Sequence, residues 1–316
     1  MTSQRDVLAA IALDDLIASF GWEGRAVLAR ALRWLCRNAA TKFAGQMADL
    51  DEAVGCAAAL SAPARQFLET RYVRGLAIAG REHIPARGPV LFVANHPGLV
   101  DNLALFAAVG RDDLMVVAER RPFLTTLTNI ARHLVFVDGN LGRRAMAVQT
   151  LADHLRAGGA ALTFPAGCIE PDPDIDDSAA SALTRWPDIT RLVARLAPAT
   201  QIVPVAVRGV IAPAAAVHWL ARIKRTRPER EKLAASLQLI AMVARDARPT
   251  SVSVRIGAPL ALADFAAQGI DGLHRALIAR MCELIVEGRT SAPSALADKA
   301  DRRLDWRTVS EGVAAP

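Results

Sequence analysis

The chain has 316 residues, 52% of them hydrophobic, which is length and apolar content enough for one large domain with a smaller appendage and no covalent staples. Its formal charge of +6 suits anionic lipid or acidic small molecules, whereas a single tyrosine and the lack of aromatic residues interleaved with basic ones argue against a nucleic-acid surface. Cys36, Cys56, Cys168 and Cys282 are too scattered for a zinc site or a disulfide framework and fit a reducing compartment.

The first residues, MTSQRDVLAAIALDD, carry acids where a secretion signal needs an apolar core, so export is not expected. From residue 4 to about 72, apolar residues recur at three- and four-residue spacing, as in Leu13, Leu16, Ile17 and Phe20, then Val27, Leu28, Leu32 and Leu35. This predicts helix throughout, and a helical subdomain over 1–73.

From Arg74 the pattern changes to short apolar runs at 76–79, 90–94, 114–118, 134–137 and 160–164, bounded by Gly, Pro and Asp. Further strands are expected at 201–207 and 252–256, and helices near 185–197, 213–224, 228–246 and 270–288. The alternation predicts an α/β domain over 74–290, with a mixed, largely buried sheet flanked by helices. Residues 291–316 read as a fraying C-terminal tail. No run reaches the roughly 18 to 20 apolar residues of a spanning helix, so any membrane contact is expected to be peripheral.

Four segments carry the chemistry. In residues 90–101, VLFVANHPGLVD, a buried strand runs into Asn95 and His96, and Pro97 and Gly98 then break it. His96 is thereby expected at the C-terminal edge of the strand, where α/β sheets place their sites. On one continuous helix His96 and Asp101 would stand about 140° apart, but a turn followed by a helix start brings them together. Asp101 can then accept a hydrogen bond from one imidazole nitrogen and leave the other to take a proton from a hydroxyl. Such a base contributes on the order of 100- to 10,000-fold in rate. The same residues also describe a helix-capping aspartate beside a loop histidine.

Residues 135–144, VFVDGNLGRR, read as a strand and a Gly-containing loop that ends in paired arginines at a helix start. Arg143 and Arg144 either hold a phosphate or form a solvated helix face. In residues 162–168, LTFPAGC, a strand ends in Pro165 and Gly167, either a turn whose backbone can approach a ligand closely or an ordinary connection. In residues 202–209, IVPVAVRG, Pro204 has no N–H for a ladder, which suggests an edge, a bulge or a strand start. The acidic stretch 170–177, EPDPDIDD, reads as a loop. In residues 217–232, Trp219, Leu220 and Ile223 stand among Arg222, Lys224, Arg225, Arg227 and Arg230, either a surface that lies on anionic headgroups or a helix burying its apolar side in the core.

In this order the four segments resemble the glycerolipid acyltransferase family, typified by lysophosphatidic acid and glycerol-3-phosphate acyltransferases. That family has an N-H-x4-D block, an F-I-D or F-I-R strand followed by arginine, an F-P-E-G block and a V-P block. The resemblance spans about residues 74–260 and implies His96 and Asp101 as the catalytic pair. It implies a substrate-binding set of Asn95, Arg143, Arg144, Phe164, Pro165, Gly167, Val203 and Pro204. It further implies transfer from acyl-CoA or acyl-carrier protein to a hydroxyl of a lysophospholipid or glycerol-phosphate acceptor, with no metal and no cofactor beyond that co-substrate. Backbone N–H groups near 164–167 are candidate oxyanion donors.

Ala166 departs from the pattern, since it stands where the family commonly has glutamate. The F-P-A-G form resembles a bacterial branch that includes hemolysin-like and ornithine-lipid acyltransferases, which leaves the acceptor open. Glu170 reads either as a displaced acceptor-binding carboxylate or as an exposed loop acid. A cytoplasmic enzyme held peripherally at the inner face of the membrane is expected. Two competitors are a Cys168 thiol enzyme with a covalent intermediate and a non-catalytic lipid-binding module; retention of both His96 and Asp101 argues against the second. The chain contains neither G-x-S-x-G nor a phosphate-loop motif. The other histidines, 83, 133, 154, 218 and 274, lack metal-ligand spacing and read as structural.

Overall fold

The structure, a computed structural model, describes residues 3–290, so the tail expected over 291–316 lies outside the described residues. The N-terminal segment forms α1 (Gln4–Phe20), α2 (Ala26–Ala57) and α3 (Ser61–Arg71) rather than one helix. Left-handed residues make the breaks, Gly21 after α1 (φ 70°) and Ala58 after α2 (φ 51°). The apolar spacing resumes beyond each break, which hid both in the sequence.

The remaining chain alternates as expected: β1 (Val73–Ala79), β2 (Val90–Ala94), α4 (Asp101–Val109), β3 (Leu114–Glu119), α5 (Pro122–Thr126), α6 (Thr128–Ala131), β4 (Leu134–Val137), α7 (Leu141–Arg156) and β5 (Ala160–Thr163). Then come α8 (Ala179–Ala182), α9 (Ile189–Leu196), β6 (Gln201–Arg208), α10 (Pro213–Ala216), α11 (Arg227–Arg245), β7 (Thr250–Ile256) and α12 (Gly269–Thr290).

Two expected helices are shorter than their apolar pattern. The one near 185–197 starts only at Ile189, because Trp186 before Pro187 is extended (ψ 133°) and Asp188 caps the new start. The one over 213–224 stops at Ala216, and the chain continues through three-residue hydrogen bonds such as Ala221 N–H to His218 and Lys224 N–H to Ala221. Val217, Trp219 and Ile223 there face solvent, while Ala215, His218 and Ala221, three residues apart, are buried, a spacing that suits three-residue turns rather than an α-helix.

The seven strands pair in the order β1-β7-β6-β2-β5-β3-β4. β6, β2, β5, β3 and β4 run one way, and β1 and β7 run the other, because β6 and β7 are antiparallel while β1 and β7 are parallel. β2 lies inside the sheet, and its side chains alternate between two cores. Val90, Phe92 and Ala94 face the core built with α2, α3 and α4 (Met47, Leu50, Leu68, Leu105), whereas Leu91 and Val93 face α7, α9 and α12 (Leu151, Val193, Leu277, Met281). Both faces are covered, which is why the strand reads as an unbroken apolar run. The helices of residues 4–71 therefore cover the sheet and share its core, apart from a small cluster of Leu16, Ile17, Leu32 and Cys36.

Pro204 sits inside the sheet, not at its edge. The β6–β7 register slips by one residue between the pairs Val205–Ile256 and Ile202–Leu260, and Gly257 N–H donates to the Pro204 carbonyl at 2.8 Å. The proline occupies this bulge, where no ladder donor is required of it.

Candidate active site

β2 ends at Ala94, and the next residue fastens the edge. The Asn95 side chain is buried between β2 and β6, with its amide NH2 donating to the Val207 carbonyl at 2.8 Å and its oxygen accepting from the Val207 N–H at 2.7 Å. Asn95 is thus a brace between strands. Gly98 then packs so closely on the turn after β6 that a Cβ would stand 2.5 Å from a Val210 methyl. That close approach, rather than an unusual backbone angle, is what requires glycine there.

The turn delivers His96 to Asp101, the first residue of α4. Asp101 Oδ2 accepts from the Gly98 N–H at 3.0 Å and stands 2.7 Å from His96 Nδ1, while Oδ1 accepts from the Asn102 N–H at 2.7 Å. Since an ionised carboxylate only accepts, the imidazole proton belongs on Nδ1 and Nε2 is the basic nitrogen. The Asp101 side chain is fully buried, whereas that of His96 keeps 21% of its surface open. Burial presses the His96 pKa down, but the Asp101 charge and hydrogen bond, with the Glu170 charge, outweigh it and hold the imidazole above its ordinary value. Phe164 lies on the imidazole with ring centroids 4.7 Å apart.

The loop after β5 completes the site. Pro165 is buried against the sheet end, and Gly167 takes a left-handed conformation (φ 64°) with its N–H donating to the Phe164 carbonyl at 3.1 Å. A Cβ at Gly167 would meet no protein atom within 4 Å, so its open side has room for a ligand, and backbone angle is what favours glycine. Ala166, which departs from the glutamate common in the family the sequence resembles, packs half-buried against the α7–α12 core.

Glu170 is not an exposed loop acid. It is 6% exposed, and its oxygens accept from the His96 N–H at 3.1 Å and from the Trp186 indole N–H at 2.7 Å. Asp172, also buried, accepts from the Gly209, Val210 and Ile211 N–H groups and ties the acidic loop to the turn after β6. An acid-rich run ordinarily reads as solvated; here a row of inward-pointing amides draws the carboxylates inside. Trp186 went unsuspected, because nothing in its local sequence links it to residues 16 and 90 positions earlier.

Arg143 and Arg144 are exposed at the start of α7 beside β4. In the order β2-β5-β3-β4 they lie three strands from His96 on the same sheet edge, about 14 Å at ordinary strand spacing. Arg143 Nε is paired with Asp138 Oδ2 at 2.5 Å, and its N–H is capped by Asn140. Val203 and Pro204 are interior residues of β6, Pro204 directly beside Val93 of β2. Cys168 is on the rim, and partial desolvation together with the Glu170 and Glu231 charges pushes its thiol pKa up, away from the nucleophilic thiolate. Among the described residues no group of three or more His, Cys, Asp or Glu side chains is placed to hold a metal. His83 and His154 bond to backbone carbonyls instead.

Residues 75–208, the span that carries His96, Asp101 and the loop after β5, match the family model described as Acyltransferase. The crystal structure of the 1-acyl-sn-glycerophosphate acyltransferase PlsC from Thermotoga maritima is similar over 90% of this chain and 99% of that one, at 15% identity and a TM-score of 0.46. No curated protein sequence matches the chain.

Proposed function

We propose, from the match of residues 75–208 to the acyltransferase family model, that the chain transfers a fatty acyl group from a thioester to a lipid hydroxyl with His96 as general base. The thioester belongs to acyl-CoA or acyl-carrier protein, and the acceptor is a lysophospholipid or a glycerol phosphate. The carrying observation is the 2.7 Å contact between His96 Nδ1 and the buried Asp101 at the sheet's C-terminal edge. Nε2 takes the acceptor's proton as its oxygen attacks the thioester carbonyl. The tetrahedral intermediate then expels the thiolate, which recovers the proton from the imidazolium. Backbone N–H groups near the 164–167 turn, other than that of Gly167, which is taken by the Phe164 carbonyl, are the proposed oxyanion donors. Arg143 and Arg144, on the same edge, are the proposed phosphate ligands, with Arg143 exchanging Asp138 for the acceptor. The raised thiol pKa of Cys168 disfavours the covalent alternative.

The direct test offers labelled acyl-CoA and acyl-carrier protein with lysophosphatidic acid, glycerol 3-phosphate and lyso-ornithine lipid. Transfer to one acceptor supports the reading and identifies the pair; lipid binding without transfer would make the chain a binding module. Because the His96 pKa is raised, and only the neutral imidazole is a base, kcat/KM is expected to fall as pH drops, with a midpoint above that of an ordinary imidazole. A pH–rate profile with its midpoint at or below that value would contradict this.

The acceptor class implies a membrane surface at the inner face of the bilayer. Among the described residues no helix is long and apolar enough to cross one. Val217, Trp219 and Ile223 are more than half exposed (61%, 67% and 60%), beside exposed Arg222 and Arg225. A Cβ at Gly21 would stand 3.2 Å from the Lys224 ammonium, so this patch adjoins the α1–α2 turn, and α2 adds exposed Val27, Trp34 and Leu35 among arginines. Basic residues near an anionic bilayer contribute about 1 kcal/mol each. Neutralising Arg222, Lys224 and Arg225 together is therefore expected to weaken binding to phosphatidylglycerol vesicles by roughly 100-fold, measured by flotation. Unchanged binding would remove this surface from the membrane role.

A further inference from the structure

Glu170 is among the most enclosed carboxylates outside the His96–Asp101 pair, and neither the general base nor the acceptor contact accounts for it. Its Oε2 accepts from the His96 N–H at 3.1 Å, and its own N–H donates to the His96 carbonyl at 2.8 Å, closing a ring between the loop after β5 and the peptide that carries the base. Its Oε1 accepts from the Trp186 indole N–H at 2.7 Å, and Trp186 is itself 5% exposed. Both oxygens are thus engaged by donors of the protein, and the side chain does not reach outward to an acceptor.

From this arrangement we infer that Glu170 is a positioning residue: it clamps the His96 peptide from behind and gives the imidazole a second buried carboxylate charge, while Trp186 holds it in place. The inference rests on the proposed role of His96 as base.

The chemistry selects glutamate at this position. Two donors, one backbone and one indole, converge on one side chain, and only an acceptor-only group satisfies both. Glutamine would turn an NH2 toward one of those N–H groups, and aspartate is one methylene too short to span the same pair. When His96 takes a proton it becomes a cation, faced by Asp101 from α4 and by Glu170 from the loop after β5. Glu231 of α11 faces Glu170 in turn, and is itself paired with Arg227 at 2.8 Å. A negative charge at 170 therefore favours the imidazolium that forms during transfer, without touching either substrate.

The test uses the full chain, with labelled acyl-CoA and lysophosphatidic acid as substrates, and compares wild type, Glu170→Gln and Trp186→Phe. The titration of His96 is followed by NMR of histidine-labelled protein, assigned by its loss in His96→Ala. Glu170→Gln is expected to lower kcat on the order of 10-fold with the acceptor KM unchanged, and to move both the His96 titration and the acidic limb of the rate profile to lower pH. Trp186→Phe keeps the carboxylate but removes the indole donor that favours its charged form against burial, so it is expected to lower kcat with a smaller downward shift of the His96 titration than Glu170→Gln gives; this variant also tests the clamp if Glu170→Gln does not fold. A Glu170→Gln protein with wild-type kcat and an unmoved His96 titration would overturn the inference, as would a loss confined to KM, which would make Glu170 an acceptor ligand. A downward shift of the His96 titration in Glu170→Gln, in a chain that shows no transfer at all, would sustain the positioning role and defeat the acyl-transfer reading.

Discussion

Replacing His96 with alanine is expected to lower kcat on the order of 100- to 10,000-fold while the chain still folds. Among the described residues beside His96 no other group is free to act as a base: Cys168 is held toward the neutral thiol, Glu170 is occupied by two donors, and Asp101 is fully buried behind the imidazole. Folding should survive because the side chain is partly open to solvent and lies beyond the end of β2, whose five residues remain buried. The strand is held by Asn95 and its neighbours rather than by the imidazole. Transfer rates with the responsive acyl donor and acceptor, alongside circular dichroism, check both halves. A variant that keeps half of the wild-type rate would assign the base elsewhere.

Asp101→Asn is expected to be nearly as damaging to kcat, on the order of 100- to 10,000-fold, though its shape barely changes. The present carboxylate takes four bonds, from His96 Nδ1, the Gly98 N–H, the Asn102 N–H and the Asn102 side-chain amide. If the amide presents its NH2 to the imidazole, Nδ1 must accept, and the proton moves to Nε2, the nitrogen that has to be empty. If it presents its oxygen instead, the NH2 falls against a backbone N–H. Either way the charge that steadies the imidazolium is lost. A buried N–H left unpaired costs about 1–3 kcal/mol, so a lower urea midpoint should accompany the kinetic loss. The acceptor KM should hardly move, since Asp101 is sealed from the substrate side. A variant with a lowered urea midpoint but wild-type kcat would reduce Asp101 to a structural support of the turn.

The contact between His96 and Asp101 was legible because strand, breaker and helix start follow one another locally. Val90 to Ala94 form an unbroken apolar run, Pro97 and Gly98 end it, and Asp101 opens α4. The surroundings of the pair were less legible. Asn95 carries the same amide whether it contacts a substrate or braces two strands, and only the assembled sheet shows its pairing with Val207. Arg143 reads as a phosphate ligand from its place before a helix, and only the structure shows the Asp138 carboxylate that pairs with its guanidinium. Pro204 advertised an irregularity correctly; that it lies in an interior strand depended on where β7 slips register.

By itself the sequence determined the alternation of helices and strands, the covered sheet and the His96–Asp101 turn, since these follow from apolar spacing, chain breakers and residues at most a few positions apart. Only the tertiary structure decided where the N-terminal helices pack, which apolar residues near 217–223 stay exposed, and which acids go inside. Glu170 shows the physical reason. An isolated carboxylate pays heavily for leaving water, and composition therefore places it outside. Its burial is stabilised by donors from His96 and Trp186, which are distant in sequence and meet it only after β2, β5 and the chain before α9 have assembled.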